Sequence, residues 1–480
     1  MAGHDLDMVQ VARRILQENG FAPEFPPGLV ASIPVQPARE TARDLRDLPW
    51  SSIDNDDSRD LDQIEVAEKL TGGAVRVLVG IADVDALVAK DSPVDRFACA
   101  QTCSLYTGVH TFAMLPPELS FDRTSLLADG RDRLAVVTEM VVRADGTLDV
   151  TKTAIYIARV ANQAKLTYNA VGAWLEGSGP PPHASATVVD QLRLQDDVAR
   201  CLRAVRHQHG ALELETIETN PVTRDGHVVD LAVVRKSRAS DLIEDLMIAA
   251  NGATARYLEA HGLSSIRRVV TQPKRWDRIV ELARGFGTAL PATPSAKALD
   301  EFLAARRTAD PLRFPDLSLS VIKLLGPGEY VLQRADSPEQ GHFGLAVDDY
   351  AHTTAPNRRY PDLVAQRVLK ATSLDAPSPY RDDELAAIAA HCTERENAAR
   401  KVERTMRKVA AAALLSSRIG EMFDAIVTGV TDRGVFARTL HPPVDGRIVR
   451  GESGLDVGEK IRVKLIATVP ERGFIDFERI

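Results

Sequence analysis

The sequence predicts an α+β chain that ends in a small β-barrel, and three observations carry this. Between Trp50 and about Gly146 the pattern is β-rich, and AVRVLVGIADV is a near-continuous apolar run of the kind a buried strand shows. The segment SPYRDDELAAIAAHCTERENAARKVERTMRKVAAAALLSSRIG reads as one long helix. Beyond Gly420 the texture changes to short alternating runs, FDAIVTGVT, GVFARTL, DGRIVRG, EKIRVKLIATV and GFIDFERI, whose number and spacing suggest an OB-type barrel.

In chain order, residues 8–20 put Val9, Val11, Ala12, Ile15 and Leu16 on one side at helical spacing. The prolines of FAPEFPPG stop that helix. LAVVTEMVVRADGTLDVTKTAIYIARV reads as a hairpin with ADGT as its turn. ASDLIEDLMIAANGATARYLEAHG reads as a helix ending at His261-Gly262. For the long helix, Ser378 is the expected N-cap with Pro379 in the first turn. Asp382, Asp383 and Glu384 suit the positive end of its dipole, and Gly420 closes it. Three units are expected: a small helical piece over 1–48, a mixed core over 49–419 and the barrel over 420–480.

Composition narrows the function classes. A chain of 480 residues holds more than one domain's worth of core. No run of 18 or more apolar residues appears, and MAGHDLDMVQVARRILQENG lacks a basic-then-apolar leader pattern, so a cytoplasmic protein without a membrane span is expected. Four cysteines (Cys99, Cys103, Cys201, Cys392) make no disulfide framework. The net charge of -8 argues mildly against a phosphate-rich partner unless basic charge is concentrated locally. NRRYPDLVAQRVLK and ARKVERTMRK are such concentrations.

The stretch SSIDNDDSRDLDQIEVAE crowds Asp54, Asp56, Asp57, Asp60 and Asp62 together. Neighbouring carboxylates raise each other's pKa unless positive charge compensates. A calcium loop starting at Asp54 puts Asp56, Ser58, Asp60, Asp62 and Glu65 at ligand positions. It also puts Arg59 where a glycine is needed, and Pro49 and a β-rich stretch where helices are needed. A magnesium site for phosphodiester chemistry asks only for carboxylate oxygens on an irregular loop. A solvated acidic turn is the plain alternative.

The loop has company. SIDNDDSRDLDQI resembles the signature of the ribonuclease II (RNB) exoribonucleases, with Asp54, Asp60 and Asp62 on the first three aspartates and Gln63 on the fourth. VGIADVDALV, YTGVHTFAMLPPELS, AKLTYNAVGAWLEG, IEDLMIAAN, HFGLA, YAHTTAPNRRYPDLV and VERTMRK resemble further segments of that family, in its order. The resemblance runs from about Trp50 to Gly420, and the barrel lies where the family carries an RNA-binding one. Fewer than fifty residues precede the acidic loop, so a shortened variant without the two N-terminal cold-shock domains is expected.

The resemblance implies processive 3′-to-5′ hydrolysis of single-stranded RNA to nucleoside 5′-monophosphates by a monomer. It implies Mg²⁺ or Mn²⁺ held by Asp54, Asp60, Asp62 and Gln63, the ion binding the scissile phosphate and lowering the pKa of the attacking water. Asp62 is the expected critical carboxylate, and Arg358 the catalytic group that stabilises charge on the phosphate. Tyr106 falls on the base-stacking tyrosine and Tyr168 on a second family tyrosine. Leu214, in GALELE, takes the place of a phenylalanine that completes the base clamp, so looser clamping is expected. Glu244 and Glu403 are the expected RNA-contacting glutamates. Because Gln63 carries no charge, a catalytically silent RNA-binding protein on the same scaffold is the second reading.

Overall fold

The computed structural model describes residues 6–35, 41–224, 227–270, 273–338, 340–432 and 434–480; residues 1–5 and 36–40 of the expected N-terminal piece lie outside them. Asp7 opens α1 (Met8–Glu18) by accepting from the Val9 and Gln10 N–H groups. The helix buries Met8, Val11, Ala12, Ile15 and Leu16 in a core it shares with Val402, Met406 and Val409 of the long C-terminal helix.

The centre is a sheet built from β1 (Arg43–Asp44), β2 (Ser51–Asp54), β3 (Gln63–Lys69) and β4 (Val75–Ala82), with a small separate ribbon, β5 (Leu105–Tyr106) and β6 (Thr111–Phe112), followed by β7 (Arg133–Val142), β8 (Ala154–Val160) and β9 (Ala164–Thr167). Among the described residues the large sheet runs β1-β8-β7-β4-β3-β2-β9. Its middle is antiparallel, and its two edges pair parallel, β1 with β8 and β9 with β2. Side chains alternate across a strand. One face, with Trp50, Ile64, Val66, Leu78 and Val136, packs on α2 (Pro93–Gln101) and later helices. The other, with Ile53, Val77, Val79, Ile81 and Met140, packs on α3 (Tyr168–Leu175), α4 (Ala186–Gln208) and, beyond the ribbon β10 (Glu218–Arg224) and β11 (His227–Val234), α5 (Arg238–Ala260). Both faces are covered, which is why β4 reads as a continuous apolar run.

The hairpin expectation holds with one difference. The ADGT turn closes Val142 onto Leu148, with Gly146 at φ +83°, and a one-turn helix over Val150–Lys152 intervenes before β8. After α5, which stops at His261 with Gly262 at φ +69°, β12 (Ser265–Val269) pairs with β13 (Glu329–Gln333) around α6 (Trp276–Gly285), α7 (Ala296–Ala309) and α8 (Phe314–Leu325). These three helices have their own core of Trp276, Ile279, Leu299, Phe302, Phe314 and Val321.

Helices α9 (Tyr360–Ser373) and α10 (Asp382–Leu415) complete the layer over the first sheet face. The long helix begins at Asp382 with Arg381 as its cap residue, not at Ser378. Ser378 instead accepts from the Tyr380 N–H, because Tyr380 is drawn inward, its hydroxyl accepting from Arg367 at 2.7 Å. The helix ends at Leu415 and passes through a short 3-10 turn before Gly420. Residues 422–479 form a closed barrel of β14 (Met422–Thr431), β15 (Gly434–Thr439), β16 (Asp445–Arg450), β17 (Lys460–Val469) and β18 (Phe474–Arg479). Gly446 is required there, since any side chain would run into the ring of Phe477. The barrel core of Phe423, Val427, Ile448, Val463 and Phe477 continues into Ala412 and Leu415 of α10. No helix among the described residues is long and apolar enough to cross a membrane, and the four cysteines are free thiols.

Candidate active site

The acidic loop is the connection from β2 to β3: Asp54 ends one strand and Gln63 begins the next. Its flanks are strands, which removes the calcium-loop reading. Its five aspartates do not act as one cluster. Asp56 and Asp57 are exposed, Asp54 and Asp60 are half-buried, and Asp62 is 2% exposed. Backbone groups of the loop are tied down from outside. Lys165 on β9 donates to the carbonyls of Ser58 at 2.5 Å and Asp56 at 3.4 Å, and Ser125 accepts from the Leu61 N–H at 2.9 Å. Asp54 Oδ1 accepts from the Asn55 N–H and the Ser58 hydroxyl. Lys165 is a tether of the loop backbone that sequence reasoning missed; its only signal is a lysine inside the edge strand AKLT.

Asp62 meets the segment that precedes α9. Its Oδ1 accepts from the Asn357 N–H at 2.9 Å, and its Oδ2 lies 3.6 Å from Arg358 Nε. The Asn357 side chain is buried and accepts from the Thr124 hydroxyl at 2.6 Å, and the Arg358 carbonyl accepts from the Ser104 N–H. Burial pushes the Asp62 carboxyl up to about 7, opposed by Arg358 and the Asn357 N–H and reinforced by Asp60. Asp60 is also raised, by burial first and by Asp54 among its neighbours, against Arg358 and the Tyr106 hydroxyl.

Tyr106, at the end of β5, is 43% exposed, and its hydroxyl donates to Asp60 Oδ2 at 3.3 Å. Its backbone N–H donates to Glu403 of α10 at 3.3 Å, and burial raises the Glu403 carboxyl. Tyr168 opens α3 and packs on the second sheet face; burial, then Asp54 and Glu65, hold its phenol protonated. The site therefore gathers Asp54, Asp60, Asp62, Tyr106, Arg358 and Glu403, with Tyr168 within electrostatic reach. Two expected residues stand apart. Glu244 is paired with Lys236 at 2.7 Å on α5, and Leu214 packs on the α6–α8 core.

The basic segment NRRYPDLVAQRVLK is spent mostly inside the protein. Arg359, itself half-buried, pairs with buried Asp362 at 2.7 Å, and the fully buried pairs Arg367–Asp95 and Lys370–Asp83 close at 2.8 and 2.9 Å; Arg358 alone of these four faces the acidic loop. Sequence reasoning weighed Glu65 only as a ligand of the calcium loop. It is 0% exposed on β3, burial and then Asp54 push its carboxyl to about 8, and neither oxygen has a hydrogen-bond partner. The available signal was a charge between Ile64 and Val66 in an otherwise apolar strand.

The donor chemistry fits a hard divalent cation. The groups are all carboxylate and phenol oxygens, buried negative charge exceeds the one half-exposed guanidinium beside it, and Glu65 holds two unpartnered oxygens. No three acidic, histidine or cysteine side chains among the described residues converge on one point. Magnesium is commonly held by one or two carboxylates with substrate phosphates completing the shell.

Residues 42–374 match the RNB domain, and residues 421–480 match the RNase II-type exonuclease C-terminal S1 domain. The chain belongs to the RNB family. Ribonuclease R of Escherichia coli is 28% identical over 94% of this chain and 59% of its own length, and that of Vibrio cholerae 30% over 94% and 58%. The RNB chain thus spans less than two thirds of the length of these curated relatives. In fold it is similar to the apo form of Mycoplasma genitalium RNase R, with a TM-score of 0.88 over 99% of this chain and 78% of that one at 23% identity. It is also similar to the yeast pseudonuclease Ssd1, with a TM-score of 0.72 over 91% of this chain and 55% of that one at 17% identity.

Proposed function

We propose that this RNB chain is a processive 3′-to-5′ exoribonuclease that hydrolyses single-stranded RNA to nucleoside 5′-monophosphates, as a monomer in the cytoplasm. The observation that carries the reading is the meeting of Asp62 with Asn357 and Arg358, nearly three hundred residues apart in sequence, beside the exposed ring of Tyr106. Membership of the RNB family supports it, as do the names of the relatives.

Each residue has a part that follows from its surroundings. Asp54, Asp60 and Asp62 would hold Mg²⁺ or Mn²⁺, which when bound supplies an activated water and neutralises phosphate charge. With its side chain 45% exposed, the Arg358 guanidinium can reach the phosphate while Asp62 orients it. Stabilising charge that grows on the phosphate is its catalytic role. The Asn357 N–H, held by the Thr124–Asn357 bond, fixes the direction of the Asp62 carboxylate. Tyr106 offers its open face to a terminal base, and Glu403 steadies the strand that carries it. Tyr168 and Leu214 are assigned to RNA contact, as is Glu244, whose Lys236 pair must open for it to accept from a 2′-hydroxyl. The barrel over 421–480 would grip single-stranded RNA ahead of the site.

The second reading is a silent RNA binder. It follows from the uncharged amide of Gln63 at the fourth acidic position. Incubation of 5′-labelled poly(A) with Mg²⁺ or EDTA separates the two. Metal-dependent shortening of the label, lost in Asp62→Asn, supports the nuclease; tight binding with no shortening at any metal concentration refutes it.

A further inference from the structure

We propose that Glu65 takes over the part of the acidic side chain that Gln63 lacks, so that Asp54 and Glu65 together hold one divalent cation at the floor of the acidic loop. This rests on the nuclease reading above.

Gln63 and Glu65 are two residues apart on β3, so they project to the same face of the sheet. With an amide at the first position and a carboxylate at the second, the acidic group of that face lies at Glu65. The sheet position of Glu65 is otherwise apolar. Its strand neighbours Ile64 and Val66 are core residues of the opposite face, and Ile53 and Val79 line its own.

Both Glu65 oxygens are buried without a hydrogen-bond donor, and the Ser51 hydroxyl, directly across the β2–β3 ladder, is likewise buried without a partner. Among the described residues no salt bridge compensates Glu65, whereas the comparably buried carboxylates Asp83, Asp245 and Asp362 each have a lysine or arginine within 3.0 Å. Buried charges are otherwise paired or bind metals. The group within electrostatic reach that Glu65 does have is Asp54, another anion, and the Tyr168 phenol lies within range of both. Two carboxylates, a serine hydroxyl and a phenol are an oxygen-only donor set, suited to a hard cation whose remaining positions are filled by phosphate oxygens and water. A cation there gives both Glu65 oxygens and the Ser51 hydroxyl a partner.

The test is Mn²⁺ binding to the whole chain without RNA, read by electron paramagnetic resonance and titration calorimetry, for wild type, Glu65→Gln, Glu65→Val and Gln63→Asp. Wild type is expected to bind, and both Glu65 variants to bind at least tenfold more weakly. Gln63→Asp is expected to change affinity less than threefold, because the carboxylate set is already complete. Glu65 variants that fold and bind Mn²⁺ like wild type overturn the inference and leave Glu65 as a buried acid of the sheet. If the Glu65 variants do not fold, Gln63→Asp decides alone: a gain of tenfold or more shows a set that was one short, and overturns it. Metal-dependent shortening of poly(A) by wild type is followed in parallel. Intact shortening with unchanged binding in the variants sinks this inference only; a wild type that neither binds Mn²⁺ nor shortens RNA sinks the nuclease reading with it.

Discussion

Asp62 should cost the fold stability whenever it is ionised. Burial raises its carboxyl from 3.8 to about 7, so the folded chain holds that proton more tightly than the unfolded one. The contribution is favourable in full below pH 3.8 and is lost as pH rises towards 7. At 1.36 kcal/mol per unit, the loss is about 1 kcal/mol at pH 4.5 and about 4 kcal/mol at pH 8. Asp62→Asn removes the charge but keeps an oxygen for the Asn357 N–H. The orphaned Arg358 is 45% exposed and 3.6 Å away, so losing that ion pair matters little. In EDTA, Asp62→Asn is therefore expected to gain about 3 kcal/mol over wild type on going from pH 4.5 to pH 8. At roughly 2 cal/mol/K per residue over the RNB unit, this is a Tm gain of about 5 °C. Differential scanning calorimetry of both proteins at the two pH values measures it. Equal Tm differences at both pH values, or a variant that melts earlier at pH 8, would show that Asp62 ionises normally. A carboxylate that destabilises the fold while serving the chemistry is the expected trade at such a site.

Two further outcomes test the frame around the site. Lys370→Met takes its ammonium away from buried Asp83 (2.9 Å) while Asp85 keeps Arg367 (2.9 Å), and breaking the buried Lys370–Asp83 pair should cost about 3–5 kcal/mol; an unchanged melting temperature contradicts that, and adding Asp83→Asn should recover part of the loss. Tyr106→Ala should weaken binding of single-stranded RNA in EDTA by about 1–3 kcal/mol, or roughly 5- to 100-fold, with Tyr106→Phe close to wild type; anisotropy titrations that fail to separate the two variants refute the stacking role.

The elements read most easily were those whose signal is local. The helical spacing of Val11, Ala12, Ile15 and Leu16, the apolar run of β4 and the alternating strands after Gly420 each carry their own pattern, and each forms. Boundaries were less legible. Ser378 is a good cap by type, yet the pull of Arg367 on Tyr380 moves the start of α10 to Asp382. That pull comes from α9, and no local pattern announces it.

By itself the sequence determined which side chains exist for chemistry: five close aspartates, an arginine at 358 and a tyrosine at 106, in an order shared with one family. Only the tertiary structure decided which of them act together. It turned Asp56 and Asp57 outward, buried Asp62 against Asn357, spent Arg359, Arg367 and Lys370 on internal ion pairs, and left Glu65 without a partner. The physical reason is that charge depends on its surroundings. A carboxylate's partner and its exposure are set by strands and helices far away in the chain, and those distances exist only once the sheet has closed.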